Sequence, residues 1–203
     1  MLVIGLTGGI GAGKSTVAAM MAERGAVVVD VDELGREVLR IGGHARDGVV
    51  ARFGTDIVGG DGEIDRKRLA ARVFGDDRAL ADLLSISHPA INALLADRIA
   101  ALAQRGVDVV VLDMAVLVES QLGRGLYDTV VVVEAPWAVR AQRLRHRGLS
   151  EDEAVARRDA QASDAERRAV ADYVIDNGGD VDALSGQVDA LWVKLVSPSP
   201  PAA

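Results

Sequence analysis

A glycine-rich stretch near the start of the chain, Gly8 to Ser15, fits the pattern G-x-x-x-x-G-K-[ST] of a phosphate-binding loop. The apolar residues 2–6 before it predict a buried strand, and residues 15–24 after it predict a helix that ends at Gly25. The motif needs this strand–loop–helix context, because its backbone N–H groups must converge at a helix N-terminus to hold an anion. The loop therefore predicts binding of a nucleoside triphosphate.

Within this loop, Lys14 is placed to reach the outer phosphates, and the Ser15 hydroxyl is placed to hold Mg²⁺. The residues predicted to bind the nucleotide here are Gly9, Gly11, Ala12, Gly13, Lys14, Ser15 and Thr16. A dinucleotide-binding loop is excluded, because the glycine spacing differs from G-x-G-x-x-G and a lysine stands where that pattern has its last glycine. A flexible glycine-rich turn without a ligand is the alternative, and the flanking strand and helix argue against it.

The chain has 203 residues, a formal net charge of −7 and no cysteine. The length suits one α/β domain with insertions, and the lack of cysteine excludes a disulfide framework and a thiolate metal site. The acidic balance argues against a nucleic-acid partner, because phosphate backbones require a basic face. The N-terminus begins directly with a predicted strand, without a basic leader or an apolar run of membrane-spanning length. We therefore expect no membrane partner and a cytoplasmic location.

Two carboxylates, Asp30 and Asp32, close the second predicted strand at residues 26–30, and a helix follows through residue 39. In an open parallel sheet, residues at this end of a strand face the crevice where ligands bind. We expect one acid to cap the helix and the other to be available for chemistry. Asp32 is the candidate that orients an acceptor hydroxyl and takes its proton. Arg36, one helical turn on, could hold an anionic group of the acceptor.

The chain between the second and third predicted strands is polar and helical, with helices predicted at residues 65–74, at 76–85 and from His88-Pro89 onward. The residue before the proline is expected to stay out of helix. A histidine at a helix start is more often a structural hydrogen-bonding group than a catalyst. We interpret residues 31–105 as an inserted acceptor-binding region.

The third predicted strand, residues 107–112, ends in Asp113. An apolar strand closed by one Asp is typical of a Walker B carboxylate, which holds Mg²⁺ directly or through water. Capping of the following turn is the alternative for Asp113. Glu119 follows six residues later and either contacts the substrate or faces solvent.

An arginine-rich helix pair follows the fourth predicted strand at residues 127–134. The first helix presents three arginines on one face, and the second, which begins with a capping box at Ser150, adds further polar groups. These side chains are Arg140, Arg143, Arg147, Arg157, Arg158 and Gln161. Such a pair is typical of a mobile lid, here residues 137–168, whose arginines offset charge on a transferring phosphoryl group. A solvated helix surface is the alternative. Arg140 is the predicted catalytic arginine, and we expect the lid to close when ATP binds.

The fifth predicted strand ends in a turn at Asn177, which in a doubly wound sheet lies over the glycine loop and near a bound base. A last amphipathic helix is predicted at residues 181–196. Together these elements predict a P-loop NTPase fold of class α/β: a five-stranded parallel sheet flanked by helices, with a helical acceptor-binding insertion and a helical lid. The predicted core comprises residues 1–30, 106–136 and 169–196. The proline-rich residues 197–203 are predicted to be a linker to a further domain or a frayed end.

The combination of these motifs resembles the dephospho-coenzyme A kinase family, over residues 1–196. The similar segments are residues 5–16, Asp30-Val31-Asp32 with Arg36, His88-Pro89, Arg143-Leu144 with Arg147, Arg158 with Gln161, and residues 171–179. One departure lies between Asp113 and Glu119, where Ala115 and Val116 stand in place of the family's proline and leucine. The turn thereby loses a fixed φ, and we expect a looser acceptor pocket.

The resemblance implies transfer of the γ-phosphoryl group of ATP, with Mg²⁺, to the ribose 3′-hydroxyl of dephospho-coenzyme A. Lys14 and Arg140 would act on the transferring group and Asp32 on the hydroxyl, while Arg143 and Asn177 would bind the nucleotide. The acceptor would contact Asp32, Arg36, His88, Asp113, Glu119, Arg158 and Gln161. A nucleoside or nucleoside-monophosphate kinase and a nucleotide-gated switch are the alternatives. The absence of an [NT]-K-x-D guanine motif argues against a GTPase switch, and the number of subunits is left open.

Overall fold

The computed structural model of the chain describes residues 1–120 and 122–197. Contacts divide the described residues into two compact units, one formed by residues 1–29 and those from residue 102 onward, and the other by residues 30–101. The predicted linker beyond residue 197 lies outside the described residues. The functional division into core, acceptor-binding region and lid stays a prediction.

A five-stranded sheet in the order β2-β3-β1-β4-β5 forms the centre of the first unit. Its strands are β1 (Leu2–Gly8), β2 (Val27–Asp30), β3 (Val109–Asp113), β4 (Thr129–Glu134) and β5 (Tyr173–Asp176). β1 pairs in parallel with both β3 and β4, and β4 pairs in parallel with β5. Helices cover both faces of such a sheet, which explains the continuous apolar runs in its strands. The predicted parallel sheet is confirmed, and its central strand leads into the glycine loop.

Ten α-helices and one 3₁₀ turn complete the described part of the chain. The helices are α1 (Lys14–Glu23), α2 (Val31–Glu37), α3 (Arg46–Phe53), α4 (Arg66–Val73), α5 (Asp77–Gln104), α6 (Leu117–Ser120), α7 (Trp137–His146), α8 (Glu151–Asp159), α9 (Asp164–Val170) and α10 (Val181–Val196). In the first unit, α1 and α10 bury Val17, Met21 and Val188 completely in one core with the sheet residues Ile4 and Leu6. Burial of each such side chain stabilises the fold by roughly 1.5–3 kcal/mol.

The second unit has a smaller core of its own. It is formed by Val49, Phe53, Ile57, Ile64, Leu69 and Ala79. The Asp65 side chain caps α4 by accepting hydrogen bonds from the backbone N–H groups of Lys67 and Arg68. This cap explains why the helix begins where the sequence pattern predicts.

One long helix, α5, replaces the two helices predicted on either side of Pro89, so the predicted helix start at the His-Pro pair is wrong. An internal proline removes a backbone donor and crowds the preceding turn, which costs about 3 kcal/mol. Burial on both sides of the proline offsets this cost, because Ala79 precedes it and Ile91 and Leu95 follow it in the core. Residues 76–105 also contain no glycine that would end the helix.

Another helix, α9, is absent from the sequence-based prediction. Its N-cap is Ser163, whose hydroxyl accepts from the Glu166 N–H while the Glu166 carboxylate accepts from the Ser163 N–H. The Ser163 hydroxyl also donates to the Glu166 carboxylate, and this hydrogen bond, together with the one from the Ser163 N–H, lowers the pKa of Glu166. The same capping box, at Ser150 and Glu153, starts the predicted helix α8. The signal for α9 is therefore present in the sequence as Ser163-x-x-Glu166.

α5 is also the one described helix that is long and apolar enough to cross a membrane, with a mean hydropathy of 1.3 in its most apolar window. Core helices of soluble proteins meet the same criterion of length and composition. This observation is therefore weak support for a membrane span. The expected lack of a membrane partner and the cytoplasmic location stay predictions.

Candidate active site

The glycine loop joins β1 to α1 at the carboxyl end of the central strand. Gly11 and Gly13 have φ angles of 76° and 94°, in the left-handed region that favours glycine. Gly13 is the N-cap of α1, and the preceding Ala12 is completely buried. The loop therefore presents a helix N-terminus, which favours a bound anion, on a rigid support.

Gly13→Ala is expected to disable the loop. A left-handed residue with a side chain costs roughly 1–2 kcal/mol, and the new methyl group would also overlap the side-chain amide of Asn177. Gly25→Ala is the matched control, because Gly25 has a φ of 104° and no atom lies within 4 Å of the added methyl. Urea unfolding and calorimetric titration with ATP would measure both variants. We expect only Gly13→Ala to lose at least about tenfold in ATP affinity, equivalent to ~1.4 kcal/mol. Equal affinities of the two variants would contradict this account.

Lys14 forms an ion pair with Asp113 beside the loop. Asp113 is the last residue of β3 and pairs in register with Leu6 of β1, so its carboxylate reaches the start of α1. Both charged side chains are 17% exposed. The structure thus brings together two residues that the sequence analysis assigns to phosphate and metal binding, and opposite charges hold them in place.

Arg143 and Asn177 fix the backbone of the loop. The Ala12 carbonyl accepts a hydrogen bond from Asn177 Nδ2 at 2.7 Å and from Arg143 Nη1 at 3.4 Å. Arg143 also donates to the Asn177 carbonyl at 2.9 Å, and the Asn177 N–H donates to the Glu134 backbone carbonyl at 2.7 Å. Both residues were predicted to bind the nucleotide. Their contacts show that they support the shape of the loop.

A cavity of about 380 Å³ lies beside this support. Its lining includes Gly13, Thr16, Arg143, His146, Asn177 and Val181. The lining combines apolar and hydrogen-bonding side chains, as small-molecule sites do. The cavity therefore has the composition needed for an aromatic base with polar edges.

Two lid residues contact the other side of the loop. Gln161 Oε1 accepts a hydrogen bond from the Ile10 N–H at 2.8 Å. Arg140 is buried against Gly9 and donates from both Nη atoms to Asp164, at 3.1 and 2.9 Å. The predicted closure of the lid upon ATP binding stays a prediction.

Arg158, also in the lid, makes different contacts. Its guanidinium lies 4.6 Å from the centre of the Trp137 ring and donates to Asp159 at 2.8 Å. A cation over an aromatic face is weakly attracted to it. The predicted substrate contact of Arg158 stays a prediction.

Arg167 is a buried residue of this region that the sequence motifs do not predict. Its Nη2 donates to Glu119 at 3.3 Å, and its Nη1 lies 3.5 Å from Asp164 Oδ1. Glu119 also accepts from the Ala162 N–H at 2.7 Å. Glu119 therefore connects α6 to the start of α9. Its predicted contact with the substrate stays a prediction. Recognition of the second capping box would have placed Arg167 on a further helix that begins within the predicted lid.

In the second unit, the two acids of the D-x-D segment have different roles. The Asp30 carboxylate accepts from the Glu33 N–H at 3.0 Å and caps α2, as expected for one of the pair. Asp32 lies exposed in the first turn of the same helix. Arg36 donates to the Glu33 carboxylate at 2.5 Å, and this hydrogen bond lowers the pKa of Glu33. An acceptor anion would have to compete with Glu33 for Arg36.

His88 lies within α5, and burial lowers its pKa below the usual 6.5. The imidazole is therefore neutral at pH 7, because the protonated form would require a lower pH. A neutral histidine can exchange hydrogen bonds with an acceptor but adds no positive charge. Its predicted contact with substrate stays a prediction.

Comparison with known proteins identifies the family. The family model described as CoaE, dephospho-CoA kinase, matches residues 2–183. The dephospho-CoA kinase of Leifsonia xyli is 46% identical over 197 residues, which cover 96% of this chain and 99% of the relative. The solved structure of TT1252 from Thermus thermophilus has 32% identity and a TM-score of 0.82, and the match covers 97% and 98% of the two chains. The dephospho-CoA kinase from Campylobacter jejuni shares the fold, with a TM-score of 0.63 at 22% identity over 95% and 96% of the chains. These matches over almost the whole length confirm the predicted resemblance, and the chain belongs to the dephospho-CoA kinase family of P-loop kinases.

Proposed function

We propose that this chain transfers the γ-phosphoryl group of ATP to the ribose 3′-hydroxyl of dephospho-coenzyme A, giving coenzyme A and ADP. One observation carries the proposal: in a member of this kinase family, the glycine loop presents Lys14, paired with Asp113, at the start of α1. A helix N-terminus and a mobile ammonium are suited to the phosphates of a nucleotide. Lys14 would leave Asp113 for the outer phosphates.

Ser15 and Asp113 are the residues that would hold Mg²⁺. Ser15 offers an exposed hydroxyl in the first turn of α1, and Asp113 offers a carboxylate at the end of β3. Residues 1–120 and 122–197 contain no cluster of three or more His, Cys, Asp or Glu that could hold a metal ion alone. This sparse oxygen set fits Mg²⁺, which takes most of its ligands from water and substrate phosphates. When bound, the ion supplies charge neutralisation on the phosphates.

The acceptor residues in this proposal lie in the second unit. Asp32 would orient the 3′-hydroxyl and accept its proton as the oxygen bonds to phosphorus. Arg36 would exchange Glu33 for an anionic group of the acceptor, and the neutral His88 would supply a hydrogen bond. Asp30 caps α2, and Asp32 lies exposed in the first turn of that helix, which supports Asp32 as the acid that acts on the hydroxyl.

The nucleotide base would occupy the cavity beside Asn177. Its position next to Gly13 and Thr16 fits a nucleotide whose phosphates lie on the loop. Arg143 would then support both the loop and one wall of the base site. Arg140 would offset charge on the transferring group.

Acceptor-dependent release of ADP tests the proposed reaction. The protein is given ATP and Mg²⁺ with dephospho-coenzyme A, with AMP, with adenosine or with no acceptor. We expect dephospho-coenzyme A to raise ADP release at least tenfold over each alternative, roughly 1.4 kcal/mol in barrier height. Mass spectrometry should show that it gains one phosphoryl group. Faster phosphorylation of AMP than of dephospho-coenzyme A would contradict the proposal. A rate of ADP release that does not change when any acceptor is added would contradict it as well.

A further inference from the structure

Two arginine side chains of the first unit lie almost fully buried against the glycine loop. Arg140 is 3% exposed and Arg167 is 2% exposed. A methyl group built on Gly9 would overlap Nη1 of Arg140 and lie 3.3 Å from Nη1 of Arg167. Both guanidiniums therefore reach the same residue of the loop, although they come from different helices.

Two carboxylates of unequal exposure pair with these cations. Asp164 accepts from both Nη atoms of Arg140, and its Oδ1 lies 3.5 Å from Arg167 Nη1. Glu119 accepts from Arg167 Nη2 and also from the backbone. The Asp164 side chain is 48% exposed and that of Glu119 is 24% exposed. Asp164 can therefore exchange its partners for water at lower cost than Glu119 can.

The arginine pair also has hydrogen-bonding capacity left over. In the part of the chain that the structure describes, the buried Nε atoms of Arg140 and Arg167 have no acceptor. Buried donors without partners cost free energy, and a buried ion pair alone is weak support for stability. A cavity of about 510 Å³, lined by both arginines, Gln161 and Asp164, opens at this place. A group with several anionic oxygens would use these donors better than one carboxylate does.

We propose that Arg167 is a second arginine ligand of the terminal phosphate of ATP, next to Arg140, and that the Asp164 carboxylate is the internal anion which this phosphate displaces. The inference rests on the proposed function only in taking the ATP phosphates to bind the glycine loop. Phosphate oxygens replace the carboxylate oxygens at the guanidiniums, while Glu119 keeps Arg167 in position. Donors held in this way stabilise developing charge without first having to reorganise.

Binding of two nucleotides, measured by calorimetry without an acceptor, tests this assignment. The probes are β,γ-imido-ATP and ADP, each with Mg²⁺. Arg167→Gln is expected to weaken binding of the ATP analogue about ten- to hundredfold and ADP binding by less than about threefold, because ADP lacks the terminal phosphate. Arg168→Gln is the matched control, since Arg168 lies on the same helix but pairs with Glu134. It should leave both affinities unchanged.

A second pair of variants tests the displacement. Asp164→Asn is expected to strengthen binding of the ATP analogue severalfold, because the competing carboxylate is gone. Asp159→Asn changes the same charge at the same cavity, but Asp159 pairs with Arg158, so no such gain is expected. Weaker binding of the analogue to Asp164→Asn, or an equal gain in Asp159→Asn, would overturn the role of Asp164.

Equal losses for both nucleotides in Arg167→Gln would show a structural role only and overturn the phosphate contact. If Arg167→Gln does not fold, Arg167→Lys is used instead, because lysine keeps the positive charge but cannot donate two parallel hydrogen bonds. We expect Arg167→Lys to weaken binding of the ATP analogue more than binding of ADP, by a smaller factor than Arg167→Gln. Unchanged selectivity in Arg167→Lys would then overturn the proposal. Failure of the proposed function would be a different result from failure of this proposal, because the wild-type protein would then not phosphorylate dephospho-coenzyme A.

Discussion

Lys14→Ala is expected to lower acceptor-dependent ADP release by on the order of 10²–10³ at saturating ATP. Lys14 is the only basic side chain within the glycine loop, and its charge would offset the negative charge of the outer phosphates. The variant also leaves the Asp113 carboxylate without the ion pair that the structure shows. Steady-state kinetics would measure turnover, and calorimetry would measure the affinity for ATP.

Lys194→Ala provides the matched control, because Lys194 lies exposed in the last turn of α10. Its turnover should equal that of the wild type. Urea unfolding of Lys14→Ala separates lost stability from lost catalysis, because Asp113, a proposed Mg²⁺ ligand, is left unchanged. Lost turnover in a variant that is largely unfolded under the assay conditions would show that the ammonium mainly stabilises the fold. Wild-type turnover in Lys14→Ala would mean that the phosphates bind elsewhere.

The second large effect is expected for Asp32→Asn, which should lower turnover with dephospho-coenzyme A by roughly 10²–10⁴, the usual contribution of a general base. Asparagine has nearly the same size but cannot accept the proton of the hydroxyl. The affinity for ATP should be unchanged, because the glycine loop keeps its sequence. Turnover would be followed as coenzyme A formed, and ATP affinity by calorimetry.

Asp30→Asn is the control for this variant, two residues away on the same segment. The Asp30 carboxylate caps α2, and asparagine caps a helix about as well as aspartate does. Turnover should therefore stay close to that of the wild type. If both variants lost activity equally, the segment would matter for its shape, and Asp32 would not be the base.

Local patterns predict those parts of the fold and site that a single segment forms. The glycine loop, the strand before it and the helix after it follow from glycine spacing and apolar periodicity, and the structure has them at Leu2–Gly8 and Lys14–Glu23. The five strands are predicted for the same reason. The family resemblance, which the comparisons confirm, depends on several such segments together.

Contacts between distant segments are the part that such patterns do not encode. Gln161 bonds to the loop across 151 residues, and Asn177 does so across 165 residues. Arg167 reaches Glu119 from 48 residues away, and no periodicity marks that pair. The uninterrupted helix through Pro89 also depends on contacts that local patterns do not encode. Core burial on both sides of the proline outweighs the local tendency of proline to interrupt a helix.

The division of the chain also has a consequence for its synthesis on the ribosome. The first unit is discontinuous, and both sheet neighbours of β1 lie far downstream, in residues 109–134. At about 5–20 residues per second, β1 emerges roughly 5–20 s before β3 is made. The second unit is continuous and can complete its core during this interval. The apolar first strand meanwhile has an unpaired edge, so the nascent chain is most prone to aggregate before its C-terminal half arrives.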